Sequence, residues 1–233
     1  MSASFVRFSL RQRVEHALVM TLFILLAATG FPQKFSDAGW ARGLLALMGG
    51  VEVARALHRF AGMAFALLAF VHIATSIALV TTGRSRPSMI PSRKDFADAV
   101  QTLRYYLGAS DRQAKFDRFD YRQKFEYWGL LMGGLLMVAT GLILYAPLVV
   151  TRVLPGVMIP VAKVAHSNEG LMAFLVVITW HIYNAHLNPD VFPFDFAIFT
   201  GKISRHRMET EHPRELARLT GREAPASGPR KDA

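Results

Sequence analysis

Hydrophobic residues in this chain gather into four long runs separated by polar connections, at His16 to Phe31, Leu57 to Val80, Phe125 to Val150 and Val161 to Ala185. Each approaches the ~20 residues that a helix needs to cross ~30 Å of hydrocarbon, the first doing so when Val14 and Glu15 are included. Backbone N–H and C=O groups cannot be left unpaired in lipid, so runs of this length predict helices. The expected fold is an all-α membrane protein, a four-transmembrane-helix bundle with spans at about 14–31, 57–80, 125–150 and 161–186. The same pattern gives an N-terminal tail of 1–13, a membrane domain of 14–219 with a polar connection at 81–124, and a tail of 220–233. That last tail has linker composition (Ala224-Pro225-Ala226-Ser227-Gly228-Pro229) and is expected to be disordered. Within the connection, Phe96, Val100, Leu103 and Leu107 recur at helical spacing. They predict a short amphipathic helix over 95–107, lying at the membrane surface or against a partner.

The two halves of the chain repeat one another. Helix one reads Glu15-His16 and then Ala28-Thr29-Gly30; helix three reads Glu126-Tyr127 and then Ala139-Thr140-Gly141, with fifteen residues from Glu to Gly in both. Helix two opens His58-Arg59-Phe60-Ala61-Gly62 and helix four His166-Ser167-Asn168-Glu169-Gly170. Helices one–two and three–four therefore read as two copies of one hairpin.

Charge fixes the expected orientation. The chain is 52% hydrophobic yet carries 27 Lys and Arg against 17 Asp and Glu, a formal charge of +10. Of the 27 basic residues, 21 lie in the two tails and the 81–124 connection; the others are Lys34, Arg42, Arg55, Arg59, Arg152 and Lys163. An even number of spans puts both termini on one side, and the positive-inside rule makes that side the cytoplasm. Basic residues that all land on one membrane face argue against nucleic acid as a partner. The absence of cysteine excludes a disulfide framework, a Cys-ligated iron–sulfur cluster and a C-x-x-C-H haem attachment, leaving histidines and carboxylates for metal chemistry. The first apolar run ends in Ala27-Ala28-Thr29-Gly30 without a good small-x-small cleavage site, so it is expected to be retained as helix one.

Six of the eight histidines, His16, His58, His72, His166, His181 and His186, fall within or at the ends of the apolar runs; His206 and His212 lie in the polar tail. Ionisable groups in a bilayer are costly and usually have a partner or a task. At ~100° per residue, the fourteen-residue interval from His58 to His72 returns to nearly the same helix face, ~21 Å along, and the fifteen from His166 to His181 nearly does so. Two hairpins in register then put His58 opposite His166 near the outer surface, and His181 near the inner surface opposite His72 or His16. Paired imidazoles from two helices are what a low-spin haem iron takes: both axial positions are filled, and the iron changes valence without binding substrate. Gly62 and Gly170 lie one turn from an outer histidine, where the missing Cβ leaves room for a flat macrocycle. Gly129, Gly133 and Gly134 read instead as small-residue helix packing. Arg59, beside His58, can pair with a haem propionate or anchor its helix at the interface.

With these features the chain resembles the cytochrome b (gamma) subunit family of membrane-bound formate dehydrogenases, Ni-Fe hydrogenases and thiosulfate reductases, bis-histidine di-haem cytochromes b. The resemblance runs from about Arg13 to Arg218. It is carried by His16 fourteen residues before Gly30, by His58-x-x-x-Gly62, by Gln123-Lys124 followed by Trp128, by His166 with His181-Ile182-Tyr183, and by His212-Pro213-Arg214. It implies two b-type haems, an outer one between His58 and His166 and an inner one between His16 and His181. His72 and His186 have no clear counterpart, which leaves His72 as an alternative inner ligand. Both remain candidates for a third haem, a quinone or proton contact, or packing. The resemblance also implies a quinone site beside the inner haem at the start of helix three, where Asp120, Gln123 and Lys124 can hydrogen-bond a quinone carbonyl and relay a proton. Their other reading is an interfacial polar belt. The family has Asn and Gly before Gln-Lys, where this chain has Asp120-Tyr121-Arg122.

The expected function is that of an electron-transfer subunit of an oxidoreductase complex. It would exchange electrons between menaquinone or ubiquinone and a redox partner subunit on the outer face, a dehydrogenase, hydrogenase, reductase or multihaem cytochrome, without acting on the primary substrate. A proton or ion transporter using a His relay with Glu15, Glu126 and Glu169 is the first rival. It predicts polar residues along a continuous path, whereas the sequence has two histidine levels separated by an apolar gap. A haem-free anchor is the second, and it needs no histidine pairs.

Overall fold

The computed structural model describes residues 4–189 and 191–221, and the chain divides into two compact units. A membrane unit comprises Leu10–Thr81 and Leu130–Asp195; a polar unit comprises the described parts of the remainder. In chain order the elements are strand β1 (Ser4–Val6), helices α1 (Leu10–Lys34), α2 (Gly39–Leu47), α3 (Val51–Thr81), α4 (Arg93–Tyr106), α5 (Tyr121–Tyr145), α6 (Pro147–Val150) and α7 (Met158–Val176). Two π-helical turns follow, Val177–His181 and Tyr183–Leu187, then α8 (Ala197–Thr200), strand β2 (Lys202–Ser204), α9 (Arg205–Glu211) and α10 (Pro213–Thr220).

Among the described residues, four helices are long and apolar enough to span a bilayer: α1 and α5 with 25 residues each, α3 with 31, and the 30 residues from Met158 to Leu187. At 1.5 Å per residue, even 25 residues reach about 37 Å, enough to clear the hydrocarbon. The residues buried within these spans are small or compact: Thr29, Pro32, Ala54, Ala61, Thr140 and Ala162. Phe60, Leu67 and Phe70 lie on the outside, each more than 60% exposed. Lipid tails are as apolar as leucine, so large side chains gain little by turning inward, while small ones let helix backbones approach.

The third apolar run, expected to continue to 150, stops being one helix at Tyr145. Pro147 keeps the residue before it out of the α region, and Ala146 sits at φ −126°, ψ 59° before the short α6 begins. The connection after helix one holds α2, with Ala41 and Leu45 buried, which the hydrophobic runs did not reveal. Gly49 and Gly50, at φ +90° and +104°, turn the chain from α2 into α3, a conformation that a side chain would strain.

The polar unit is more ordered than a reading of tails suggests. Residues 4–6 of the expected N-terminal tail pair antiparallel with β2, Phe5 opposite Ile203. Phe5 packs on a small core of Ile203, Met208 and Leu216. Arg7 is buried, with its guanidinium 2.9 Å from Glu215 and 5.0 Å from the Phe119 ring. Arg118 donates to the other Glu215 oxygen (2.9 Å) and to the Arg7 carbonyl (2.5 Å). One carboxylate thus meets two guanidinium groups, which makes the burial of Arg7 tolerable. His212-Pro213-Arg214 is the joint of this unit: His212 Nδ1 donates to the Asp117 carbonyl (2.9 Å), Pro213 opens α10, and the Arg214 N–H donates to the Phe116 carbonyl (3.2 Å). Helix α4 covers the amphipathic stretch read from the sequence, and Asp95 accepts from the Ser92 N–H at its start. Of the tail expected to be disordered, Thr220 ends α10 and residues 222–233 lie outside the described residues.

Two outcomes follow for the polar unit. Glu215→Gln leaves the buried Arg7 guanidinium, and the half-buried one of Arg118, without their anion and is expected to cost about 3 kcal/mol. It should appear as faster hydrogen exchange at β1 and β2, and unchanged exchange would show the pair to be neutral. Burial, together with the Arg7 cation, pushes His212 down to about 4 from its usual value near 6.5. An unfolded chain therefore takes up this proton first, so its contribution to stability is complete above pH 6.5 and is lost as pH falls towards 4. Exchange in α10 should rise over that window in the native protein, and less in His212→Asn, which keeps a donor but does not titrate.

Candidate functional site

Threonine hydroxyls hold the first histidine pair. His58 on α3 and His166 on α7 face each other with ring centroids 6.1 Å apart and planes at 77°. Thr29 Oγ1 on α1 lies 3.0 Å from His58 Nδ1, and Thr140 Oγ1 on α5 lies 3.0 Å from His166 Nδ1. Each hydroxyl donates its one proton to the carbonyl four residues back, Leu25 at 2.7 Å and Leu136 at 2.6 Å. It therefore accepts from the imidazole, which places the ring proton on Nδ1 and leaves the Nε2 lone pair unprotonated. Beside each threonine is a glycine. A Cβ at Gly30 would come within 3.0 Å of His58 Cε1, and one at Gly141 within 3.2 Å of His166 Cε1. The repeated Ala-Thr-Gly is thus the backing of the two rings. The sequence showed the repeat, and its regular spacing was the available signal, but the role of the threonines was missed.

The second pair is His16 on α1 and His181 at the end of the first π turn, with centroids again 6.1 Å apart and planes at 36°. His72, the alternative, is engaged elsewhere: its Nδ1 is 3.0 Å from Glu15 Oε2. Arg11 donates to the other Glu15 oxygen (2.7 Å) and to Thr75 Oγ1 (3.0 Å). His186 stacks flat on Phe194, with centroids 4.0 Å apart and planes at 5°.

Both pairs fit one metal between two imidazoles. A metal–imidazole bond is about 2.0 Å, and two such bonds in line plus the ring radii bring centroids to about 6 Å. Donor chemistry agrees at the first pair, where the Thr-bound Nδ1–H fixes the tautomer that leaves Nε2 to ligate. A Cβ at Gly62 would meet no heavy atom within 4 Å, and one at Gly170 would meet only Met137 Cε at 3.4 Å. Gly133 and Gly134 do serve close packing: a Cβ at the first would clash with Glu169 Oε1, and one at the second would meet Phe65 at 3.2 Å.

Arg59, read as a propionate partner or an anchor, lies 5.6 Å from the Tyr145 ring. Lys34, not singled out from the sequence, donates to Ser167 Oγ (3.2 Å) and Asn168 Oδ1 (2.9 Å) next to His166. The three residues suggested for quinone lie in the polar unit, engaged with their neighbours. Asp120 Oδ1 accepts from the Gln123 N–H (2.8 Å) while Gln123 Oε1 accepts from the Asp120 N–H (3.2 Å), a reciprocal cap on α5. Asp120 also takes Arg122 at 2.7 Å, and Lys124 donates to both Asp95 oxygens at 2.9 Å.

Comparison with known proteins agrees with this architecture. Residues 7–191 match the family described as prokaryotic cytochrome b561. The cytochrome b556 subunit of the nitrate-inducible formate dehydrogenase of Escherichia coli (strain K12) is 23% identical over 224 residues, 96% of this chain and 95% of that subunit. The cytochrome b556(fdo) subunit of formate dehydrogenase from the same strain is 27% identical over 183 residues, 77% of this chain and 78% of the relative. The corresponding subunit of Haemophilus influenzae is 26% identical over 176 residues, 74% and 67% respectively. Four apolar spans and a match over most of its length make this chain a multi-pass bacterial membrane cytochrome b of the prokaryotic cytochrome b561 family, a protein of electron transfer.

Proposed function

We propose that this cytochrome carries two b-type haems, one between His58 and His166 and one between His16 and His181, and conducts electrons between quinone and a redox partner subunit. The observation that carries the reading is the pair of imidazole couples, each with centroids 6.1 Å apart. Haem held by these histidines would supply a one-electron carrier. The chain's own part is positional. Thr29 and Thr140 hold the Nδ1 protons, and Gly30 and Gly141 let α1 and α5 back the rings. His16 completes the second couple, with His72 kept on Glu15. Lysines and arginines concentrated at 81–124 and in both tails support cytoplasmic termini, which makes the His58–His166 couple the outer one. The relatives' names support a dehydrogenase as the partner at that outer end. Menaquinone or ubiquinone is then served from the inner end. Asp120, Gln123 and Lys124 reach a quinone only by exchanging their present hydrogen bonds.

Reduced-minus-oxidised spectra of the purified chain, with haem counted by the pyridine assay, test the assignment. Two haems per chain are expected. His58→Leu and His166→Leu should each remove one and the same haem, His16→Leu and His181→Leu the other, and His72→Leu neither. Loss of haem in His72→Leu would overturn the ligand assignment, and absence of haem in the native chain would overturn the whole reading.

The threonine anchors carry their own expectation. Thr29→Val or Thr140→Val keeps the shape but removes the partner of Nδ1, and haem affinity at that couple should fall by roughly 10–100-fold, the usual cost of losing such a hydrogen bond. Transfer of haem to a competing apoprotein measures it. Unchanged transfer rates would show that packing alone orients the rings.

A further inference from the structure

We infer that His186 is a quinone-headgroup contact, donating its Nε2–H to a carbonyl of a quinone ring at the end of the Met158–Leu187 span. The inference rests on the electron-transfer reading above and adds to it the residue that meets the mobile carrier within the membrane unit.

Backbone winding supplies the first reason. His186 follows His181 by five residues. In an α-helix that interval turns through about 500°, leaving the two side chains well over 100° apart. Here the segment is π-wound: the Ile182 N–H bonds the Val177 carbonyl, and the Asn188 N–H bonds the Tyr183 carbonyl at 2.9 Å. Wider winding on both sides of this interval turns each residue through less than about 100°, so His186 comes round nearer to the face of His181 than an α-helix would bring it, and closer to the end of the span. Such π segments are rare and recur at functional sites.

Ring chemistry supplies the second. His186 lies parallel to Phe194 at 4.0 Å, which fixes the imidazole plane against an aromatic wall. Its Nδ1 is buried with no hydrogen-bond partner among the described residues. With no acceptor for an Nδ1 proton, the ring's one proton belongs on Nε2. A rigid N–H donor beside an aromatic face, at the end of a lipid-facing span, suits a flat, lipid-soluble ring bearing carbonyl oxygens. Water would solvate an N–H but gains nothing from the stacked wall. The location also suits delivery, because His186 lies only five residues beyond His181 of the His16–His181 couple.

The test uses the purified, haem-loaded chain with a short-chain ubiquinol and, separately, a short-chain naphthoquinol. The quinol concentration giving half-maximal haem reduction is read by stopped flow, and an azido-quinone is used to label the binding region. His186→Leu should raise the half-maximal concentration by about tenfold or more. Haem content and difference spectra should stay native. His186→Gln, which places an N–H near the position of Nε2, should stay within a few-fold of native. In the native chain the label should fall on the peptide that contains Phe194. If His186→Leu behaves as native, or loses a haem and so is a ligand or structural residue, the inference is overturned while quinone exchange stands. If neither quinol reduces the native chain and no peptide is labelled, quinone exchange itself fails and the inference falls with it.

Discussion

A threonine whose hydroxyl proton is given to its own helix has only lone pairs left to offer, and in this protein they are offered to histidine. That single hydrogen bond, made once by Thr29 and again by Thr140, decides which nitrogen of each ring carries the proton. Tautomer choice has structural consequences. The unprotonated Nε2 must point away from the anchoring helix, so α1 orients a ring on α3, and α5 orients a ring on α7. Glycine at the next position is required by the same contact, because the ring edge comes within 3.0 to 3.2 Å of where a Cβ would stand. Small residues elsewhere in the spans follow from the same need for close backbone approach in a solvent that does not drive large side chains inward.

Much of this arrangement was legible in the sequence. Span positions follow from hydrophobic run length because lipid leaves the backbone no alternative to helix. The facing of His58 and His166 follows from equal placement in two copies of a hairpin. What spacing could not decide was His16 against His72, since both share a helix end with His181 and differ only in their neighbours. Side-chain chemistry separates them: Glu15 takes His72, Arg11 holds Glu15 in place, and His16 faces His181. The threonine role was hidden for a related reason, since a hydroxyl within an apolar run reads as a backbone-bonded passenger until the ring beside it is known.

Other features were illegible because they depend on long-range closure. The strand Ser4–Val6 has no partner within its own neighbourhood and pairs with residues about two hundred positions away. Burial of Arg7 has no sequence signature, for an arginine near a terminus ordinarily reads as a solvated charge. Only when Glu215 and Arg118 arrive together does its burial become tolerable, and the triad then ties both ends of the chain to the 110–120 segment. Asp120 and Gln123 carry a part that their polarity did not reveal. Polar residues at a membrane boundary suggest ligand chemistry, and the structure shows that these two also form a reciprocal cap on α5.

Duplication also explains why the two couples differ. His58 and His166 occupy equivalent places in the two hairpins, and each has an equivalent threonine, so the first couple is symmetric. The second is not. The counterpart of His16 in helix three is Tyr127, and the counterpart of His181 in helix two is His72, fourteen residues after His58 where His181 is fifteen after His166. Helix four therefore holds one residue more between its histidines. The π turn at Val177–His181 takes up that residue within the helix, as a π-bulge does. With Tyr127 at the position equivalent to His16, no mirror-image couple forms, and His72 bonds Glu15 instead. This chain keeps symmetry at one end and departs from it at the other, where Arg11, Glu15 and His72 gather beside a single facing pair.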